Sequence, residues 1–119
     1  MRALLEQIGI SSKRLDYSSV MVVYQTGKHS WRGFVVPFDI TFEAETKREV
    51  VSALRDMIDS YVDGLHQYHN PAHLENVPLS YESDRQKWFA ISQGLIVKLM
   101  NKVREVDTPD YYAEAQLPA

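Results

Sequence analysis

The feature that most constrains the fold is a long amphipathic segment in the middle of the chain. Thr46 and Glu49 have the spacing of a capping box, in which a hydroxyl and a Glu side chain satisfy free backbone amides at the start of a helix. The apolar residues that follow recur at helical spacing: Val50, Val51, Ala53, Leu54, Met57, Ile58, Tyr61, Val62 and Leu65. Because Asn70-Pro71 blocks continuation, the sequence predicts a helix over 47–66 whose apolar stripe packs on another element.

Three strand-like segments precede this helix. Residues 20–26 are rich in β-branched and aromatic side chains, which suits a strand buried on both faces. Residues 31–38 have a similar composition and follow a turn-forming stretch, so the two segments predict a hairpin. Residues 39–45 alternate between polar and apolar, as in a strand with one dry face. We therefore expect an α+β fold in which a three-stranded antiparallel sheet packs on one long helix, in the order β-β-β-α-α.

The last element of that order is a second helix in the C-terminal half. Ser83 and Gln86 offer another capping box, and apolar residues then recur at helical spacing as far as residue 106. A competing interpretation makes residues 87–92 a short strand and leaves the helix to begin after it. The periodicity continues across Gly94 and favours one helix over 82–106, which either closes the core or pairs with its copy in a second chain.

The chain has the length of one domain, which we take to span residues 1–119. Within it we expect a short helix and loop (1–19), the ββ-β-α core (20–66), the C-terminal helix (82–106) and a loose polar tail (107–119).

Composition excludes several classes of function. The net charge of −3 provides no broad basic field for nucleic acid or an anionic membrane, and the absence of cysteine removes thiol catalysis and zinc thiolate sites. The N-terminal stretch is too short and polar for a signal peptide or a spanning helix. No Ser-His-Asp order, Gly-rich phosphate loop or nucleophile elbow is present. We expect a cytoplasmic protein without a cofactor, and not an enzyme.

Three of the four histidines lie close together at the predicted end of the first helix. His66 and His69 are three residues apart, and His73 follows in the loop, so the three could share a divalent metal ion. Imidazoles near a helix carboxyl end also interact well with its free carbonyls and dipole. We favour that second interpretation and predict no metal, with these three residues as weak candidates.

Acidic side chains form one clear group on the predicted first helix. Asp56, Asp59 and Asp63 are spaced three and four residues apart on the face opposite the apolar stripe. Their position favours a solvated surface over a metal site.

Aromatic and basic residues in two places are the candidates for partner binding. Lys28, Trp31 and Arg32 combine cations with an aromatic ring near the predicted hairpin tip. Tyr111 and Tyr112 stand in the predicted tail, where they could dock on another protein.

The stretch from about residue 20 to residue 65 resembles the HicB family. In that family a strand leads into a Val-Pro-Asp turn, a third strand and a Thr-x-x-Glu-Ala helix start. Val36-Pro37-Phe38-Asp39 and Thr46-Lys47-Arg48-Glu49-Val50 stand at the corresponding places here. The Pro-Gly-Cys element of the turn is absent, Val50 replaces the Ala, and no Gly precedes Thr46.

The resemblance implies a partial ribonuclease-H-like fold of β-β-β-α-β type. It also implies a non-catalytic protein that neutralises a small ribonuclease toxin by direct binding, usually as a dimer or larger assembly. An acidic chain suits a small basic toxin. The predicted helix over 82–106 has no second recognition helix, so the sequence does not favour DNA binding. The alternatives are a homo-oligomeric accessory protein and, third, a metal-dependent enzyme built on the histidines.

Overall fold

The computed structural model describes residues 17–116 and shows an α+β fold, in which an antiparallel sheet carries helices on both faces. The elements are β1 (Ser19–Gly27), β2 (Ser30–Val36), β3 (Ile40–Ala44), α1 (Lys47–Gln67), α2 (Ala72–Glu75), α3 (Glu82–Met100), β4 (Glu105–Asp107) and β5 (Tyr112–Gln116). The predicted helix near the N-terminus lies outside the described residues.

The sheet has five strands, in the order β3-β2-β1-β5-β4, so the prediction of a three-stranded sheet is wrong. The three predicted strands and the hairpin between β1 and β2 are present. The extra strand β5 lies in the segment 107–119, which is therefore not simply a loose tail, whereas β4 begins at Glu105 within the predicted helix over 82–106. β5 pairs antiparallel with β1, from Ser19 opposite Gln116 to Val23 opposite Tyr112. This pairing makes β1 the central strand.

A tight turn connects β4 to β5. The Thr108 hydroxyl accepts hydrogen bonds from the backbone amides of Asp110 and Tyr111, and the Thr108 amide donates to the Tyr111 carbonyl. This side-chain turn lets β4 reverse into β5. The composition of β5, Tyr-Ala-Glu-Ala-Gln, has low strand propensity, which is why the sequence pattern missed it.

Helix α1 covers one face of the sheet. Its apolar stripe packs on side chains of β1 and β2, as the sequence predicts, and the main buried members of this layer are Met21, Val23, Val35, Val50, Leu54 and Ile58. Gly33 permits the close approach, because a Cβ atom there would lie 2.4 Å from Leu54 Cδ1 and 2.7 Å from Val50 Cγ1.

Helix α3 covers the opposite face. Its buried Leu95 packs with side chains of β1, β2 and β5, and the main buried members of this layer are Val20, Val22, Tyr24, Phe34, Val36 and Ala113. Residues 20–24 of β1 are consequently buried on both faces, whereas Gln25 and Thr26, which the prediction for 20–26 included, are exposed. The helix thus closes a core on this face, which agrees with the predicted alternative in which it closes the core.

The ends of α1 agree with the sequence prediction. The Thr46 hydroxyl accepts from the Glu49 amide at 3.2 Å and donates to the Glu49 carboxylate at 2.9 Å. At the other end, His69 has a left-handed φ of 61° and its amide donates to the His66 carbonyl. The Asn70 amide donates to the Leu65 carbonyl, which completes a Schellman motif.

Helix α3 differs from its prediction at both ends, although it runs unbroken through Gly94 and the competing strand over 87–92 is wrong. The N-cap is Tyr81, which makes no side-chain capping bond, so the predicted capping box is wrong. The helix ends at Met100 rather than 106. Lys102 takes a left-handed φ of 64° and Val103 donates to the Lys98 carbonyl, a second Schellman motif.

Candidate functional site

A buried cluster of charged and polar side chains joins the start of α3 to the sheet. Asp84 is fully buried and forms a two-pronged ion pair with Arg32, with Nε 2.9 Å from Oδ1 and Nη2 2.8 Å from Oδ2. The Tyr24 hydroxyl donates to Asp84 Oδ1 at 2.7 Å and lies 2.9 Å from the Ser83 hydroxyl. The remaining guanidinium arm donates to Glu43 on β3 at 3.0 Å.

Burial and hydrogen bonding both shift pKa values in this cluster, and burial acts most strongly on Tyr24. It raises the pKa of the Tyr24 hydroxyl to about 12, so Tyr24 stays protonated at neutral pH. The hydrogen bonds from Arg32 to Asp84 raise the pKa of the guanidinium further above its usual range. Both Asp84 oxygens already accept from protein donors. The cluster therefore uses its hydrogen-bonding capacity internally and anchors α3 to the sheet.

Two side chains cover the cluster on its solvent side. The Tyr81 ring lies over the Arg32 guanidinium, 4.0 Å from its carbon to the ring centroid. The Lys87 ammonium lies 5.3 Å from the centroid of the Tyr24 ring. These cation–π contacts shield the ion pair from water and hold the residue that caps α3.

Sequence reasoning missed Asp84 and treated its neighbour Ser83 as a helix cap. The available signal was Arg32, a cation inside the otherwise apolar strand stretch Trp-Arg-Gly-Phe-Val-Val. A buried guanidinium requires a carboxylate partner. The sequence alone does not say which of the acidic residues supplies it.

The structure does not bring the five predicted partner-binding residues together. Lys28 is exposed in the turn after β1, whereas Trp31 packs partly buried on the α1 layer and Arg32 lies buried on the α3 side. Tyr111 packs on the α3 layer, and Tyr112 is buried at 6% exposure in the α1 layer. Consecutive strand residues point to opposite faces, which separates each adjacent pair.

The histidines take separate positions around the end of α1. The His66 ring packs on the Tyr17 ring at a centroid distance of 5.6 Å, His69 occupies the left-handed position of the Schellman motif, and His73 is exposed in α2. Within residues 17–116, no three His, Asp or Glu side chains are arranged to hold a metal ion. His69 thus has a backbone role at the helix end.

The solvent face of α1 carries an acidic ridge, formed by the exposed side chains of Asp56, Asp59 and Asp63. None of the three makes an ion pair with another residue of the described part of the chain. No Lys or Arg occurs between Arg55 and Arg85 in the sequence. The ridge is therefore a local region of negative charge.

Two recesses open beside the α1 acidic ridge. The first, of about 350 Å³, has an apolar wall of Phe38, Ile58 and Val62 and carries Asp59 and Asp63 at its lining. The second, of about 480 Å³, is lined by Ile40, Asp56, Met57, Ser60 and Tyr61. Carboxylates thus alternate with apolar surface along this side of the molecule.

The solvent face of α3 is apolar instead of charged. This α3 outer face consists of the exposed residues Gln86, Phe89, Ala90, Gln93, Val97 and Met100. Phe89 is 88% exposed, Val97 58% and Met100 57%. Its large apolar side chains make it a surface suited to protein contact.

Comparison with known proteins found no relative: no family model, curated protein or solved structure matches the chain. Among the described helices, none is both long and apolar enough to cross a membrane.

Proposed function

We propose that this chain is a non-catalytic protein that binds and neutralises a small basic protein, as HicB-type antitoxins do with a ribonuclease toxin. The observation that carries the proposal is the α1 acidic ridge and the two partly apolar recesses beside it. This surface offers charge and apolar contact together.

Charge complementarity supports a basic partner. The carboxylates of Asp56, Asp59 and Asp63 are exposed, while two cations of the first half of α1 are engaged elsewhere: Lys47 with Asp107 and Arg55 with Glu114. A partner rich in Lys and Arg is steered toward such a surface, and wrong partners with negative charge are repelled. The electrostatic contribution acts mainly on the association rate.

The recesses supply the apolar part of an interface. Specific interfaces combine apolar anchors in pockets with a polar rim. Phe38, Ile58 and Val62 present such an apolar wall, and the carboxylates form its rim. A basic protein with an exposed apolar side chain fits both features at once.

The order of elements supports the HicB-like role. The sequence of β1, β2, β3 and α1 agrees with the first four elements of the family fold, and Pro37 to Asp39 form the turn between β2 and β3. The family resemblance implies a β-β-β-α-β order, whereas α2 and α3 stand between α1 and the next strand in this chain.

The test is a binding and rescue experiment with a small basic protein encoded by a gene adjacent to this chain's own gene. We expect co-expression of the chain to restore the growth of cells that the basic protein arrests, and calorimetry to show a direct complex that weakens with salt. The triple variant Asp56→Asn, Asp59→Asn, Asp63→Asn is expected to bind at least about tenfold more weakly.

A matched control removes three charges elsewhere on the surface. Glu45, Glu105 and Asp110 are exposed and lie outside α1, so the triple change to Gln, Gln and Asn is expected to keep full binding. Equal loss in both triple variants, or a neighbourhood without any gene for a small basic protein, contradicts the proposal.

A further inference from the structure

The α3 outer face is apolar where a helix on the surface of a monomer is normally polar. The ten residues between Lys87 and Lys98 include no charged side chain. Phe89 is the most exposed large apolar residue of the described chain, at 88%. The inner side of the same helix is already packed on the sheet through Leu95. Such a helix is apolar on both sides, which is typical of one that is covered twice.

We propose that the α3 outer face is a homodimerisation surface, on which α3 packs antiparallel against α3 of a second copy around a two-fold axis at Gln93. Closed two-fold dimers use the same surface on both subunits. The α3 outer face meets that requirement because it has no charge to repel its own copy.

One charge at the amino end of α3, that of Glu82, fits the antiparallel arrangement. Glu82 is exposed at the amino end, and Lys98 and Lys102 are exposed at or just beyond the carboxyl end. An antiparallel pair brings each Glu82 toward the cations of the other copy, whereas a parallel pair brings the two Glu82 side chains together. Arg85 is also exposed in the first turn, but it lies on the flank of the helix and outside the α3 outer face. A foreign partner with a charged surface would find nothing to pair with along the uncharged middle of the helix.

The spacing of side chains along α3 is also self-complementary. With the axis at Gln93, Phe89 of one copy lies opposite Val97 of the other, and Gln86 opposite Met100. Small residues stand beside the axis: Ala90 is exposed, and a Cβ atom at Gly94 would have nothing within 4 Å. Small residues near a helix crossing let the backbones approach closely, so the large side chains interdigitate on either side.

This surface is separate from the one proposed for the basic partner. The α1 acidic ridge and the α3 outer face lie on opposite sides of the sheet. A dimer formed through α3 leaves the acidic ridge of each copy free. Failure to dimerise and failure to bind the basic protein can therefore be observed separately.

The first test measures the mass of the full chain by light scattering and sedimentation over micromolar to hundreds of micromolar concentration. We expect a concentration-dependent shift toward twice the 13.7 kDa of one chain. Phe89→Lys is expected to raise the dissociation constant at least about tenfold. Because Phe89 is 88% exposed, the thermal unfolding of the variant monomer stays unchanged, which separates loss of the dimer from loss of the fold.

The second test determines the register in which the two α3 helices pack. Phe89→Lys and Val97→Glu each weaken the dimer alone, because each places an unpaired charge in an apolar contact. The double variant places the introduced lysine opposite the introduced glutamate of the other copy, and dimerisation recovers in a salt-sensitive way. Phe89→Lys combined with Gln86→Glu is the matched control and does not recover in the same way, since Gln86 faces Met100.

Three results overturn the proposal. A single-chain mass at every concentration excludes the dimer, and a dimer indifferent to Phe89→Lys uses another surface. Loss of binding to the basic protein on Phe89→Lys, with the mass unchanged, assigns the α3 outer face to that partner instead.

Discussion

The buried pair of Arg32 and Asp84 has a structural role at the level of single residues. Two charges are costly to bury unless geometry and hydrogen bonds compensate for lost water. Here Asp84 receives three hydrogen bonds, two from Arg32 and one from Tyr24. The pair fixes where α3 begins, because Asp84 lies in the first turn of the helix and its carboxylate contacts the sheet.

The change Asp84→Asn is expected to lower the free energy of unfolding by about 3 kcal/mol, because it leaves the Arg32 charge buried with only Glu43 as a charged partner. Urea unfolding of the variant measures the loss. The exposed Asp110→Asn is the control and changes the free energy little. Equal stability of both variants would contradict the anchoring role of Asp84.

Gly33 provides the second residue-scale prediction. A methyl group at Gly33 meets Leu54 at 2.4 Å and Val50 at 2.7 Å. Gly33→Ala is therefore expected to push α1 away from the sheet and to cost about 1–3 kcal/mol of unfolding free energy. Denaturant unfolding provides the measurement.

Gly64→Ala is the matched control for Gly33. Gly64 lies within α1, and a Cβ atom there has nothing within 4 Å. Alanine favours a helix interior over glycine by up to about 1 kcal/mol, so this variant is at least as stable as the parent chain. A Gly33→Ala protein as stable as Gly64→Ala would show that the close approach is not required.

At the scale of elements, a link between α1 and β5 ties the last strand to the rest of the fold. The Arg55 guanidinium donates two hydrogen bonds to Glu114, at 2.9 Å and 2.5 Å, and the Tyr112 hydroxyl donates to the same carboxylate at 2.9 Å. The hydrogen bonds from Arg55 hold the pKa of Glu114 below its usual range. The ionised carboxylate therefore favours the folded state.

This link makes a prediction about acid stability. A carboxylate with a depressed folded pKa contributes its stability above the pKa of the unfolded chain, about 4.3 for Glu, and loses it as the pH falls through the folded pKa. Glu114→Gln is expected to lose less stability than the parent chain as the pH falls through that acidic window. Urea unfolding at a series of pH values measures how steeply the free energy of unfolding falls with pH in the parent chain and in the variant.

Arg55→Met is the companion variant, because it removes the main cause of the depressed pKa of Glu114. It is expected to flatten the same acid dependence while leaving the carboxylate in place. If both variants keep the parent slope below pH about 4.3, the link contributes nothing to acid stability.

The sequence predicted individual elements where a strong local pattern exists. The capping box and stripe predicted α1 over 47–66, and the helix spans Lys47–Gln67. The composition and alternation of residues 20–45 likewise form strong local patterns, and they predicted β1, β2 and β3. The end of α3 was missed because Lys102, rather than Gly or Asn, takes the left-handed position, and apolar spacing continues past it to Val106.

At the scale of the whole molecule, the features that the sequence did not predict depend on contacts between distant parts of the chain. β5 is a strand because β1 offers it a backbone partner and because Ala113 and Tyr112 fit the two cores, and neither cause is visible in its own composition. The Arg32–Asp84 pair likewise joins residues from distant parts of the chain. The three acidic residues on α1 were recognisable from helical spacing, whereas the recesses beside them required the packed sheet.

The sheet carries one helix on each face, and the solvent-facing sides of these two helices differ in character. Helix α1 turns its charged side to water, and carboxylates and recesses lie along that side. Helix α3 turns Phe89, Val97 and Met100 to water. The proposed dimer therefore uses apolar contact, and the proposed complex with a basic protein uses charge together with apolar contact, on different sides of the molecule.

The position of β5 beside β1 has a consequence for synthesis on the ribosome. Val20 pairs with Ala115, so the middle of the sheet stays unfinished until almost the whole described chain has been translated. Until then β1 presents a bare row of amides and carbonyls to any neighbouring nascent polypeptide. Early termination before β5 should consequently produce fragments that stick together rather than smaller working versions of the protein.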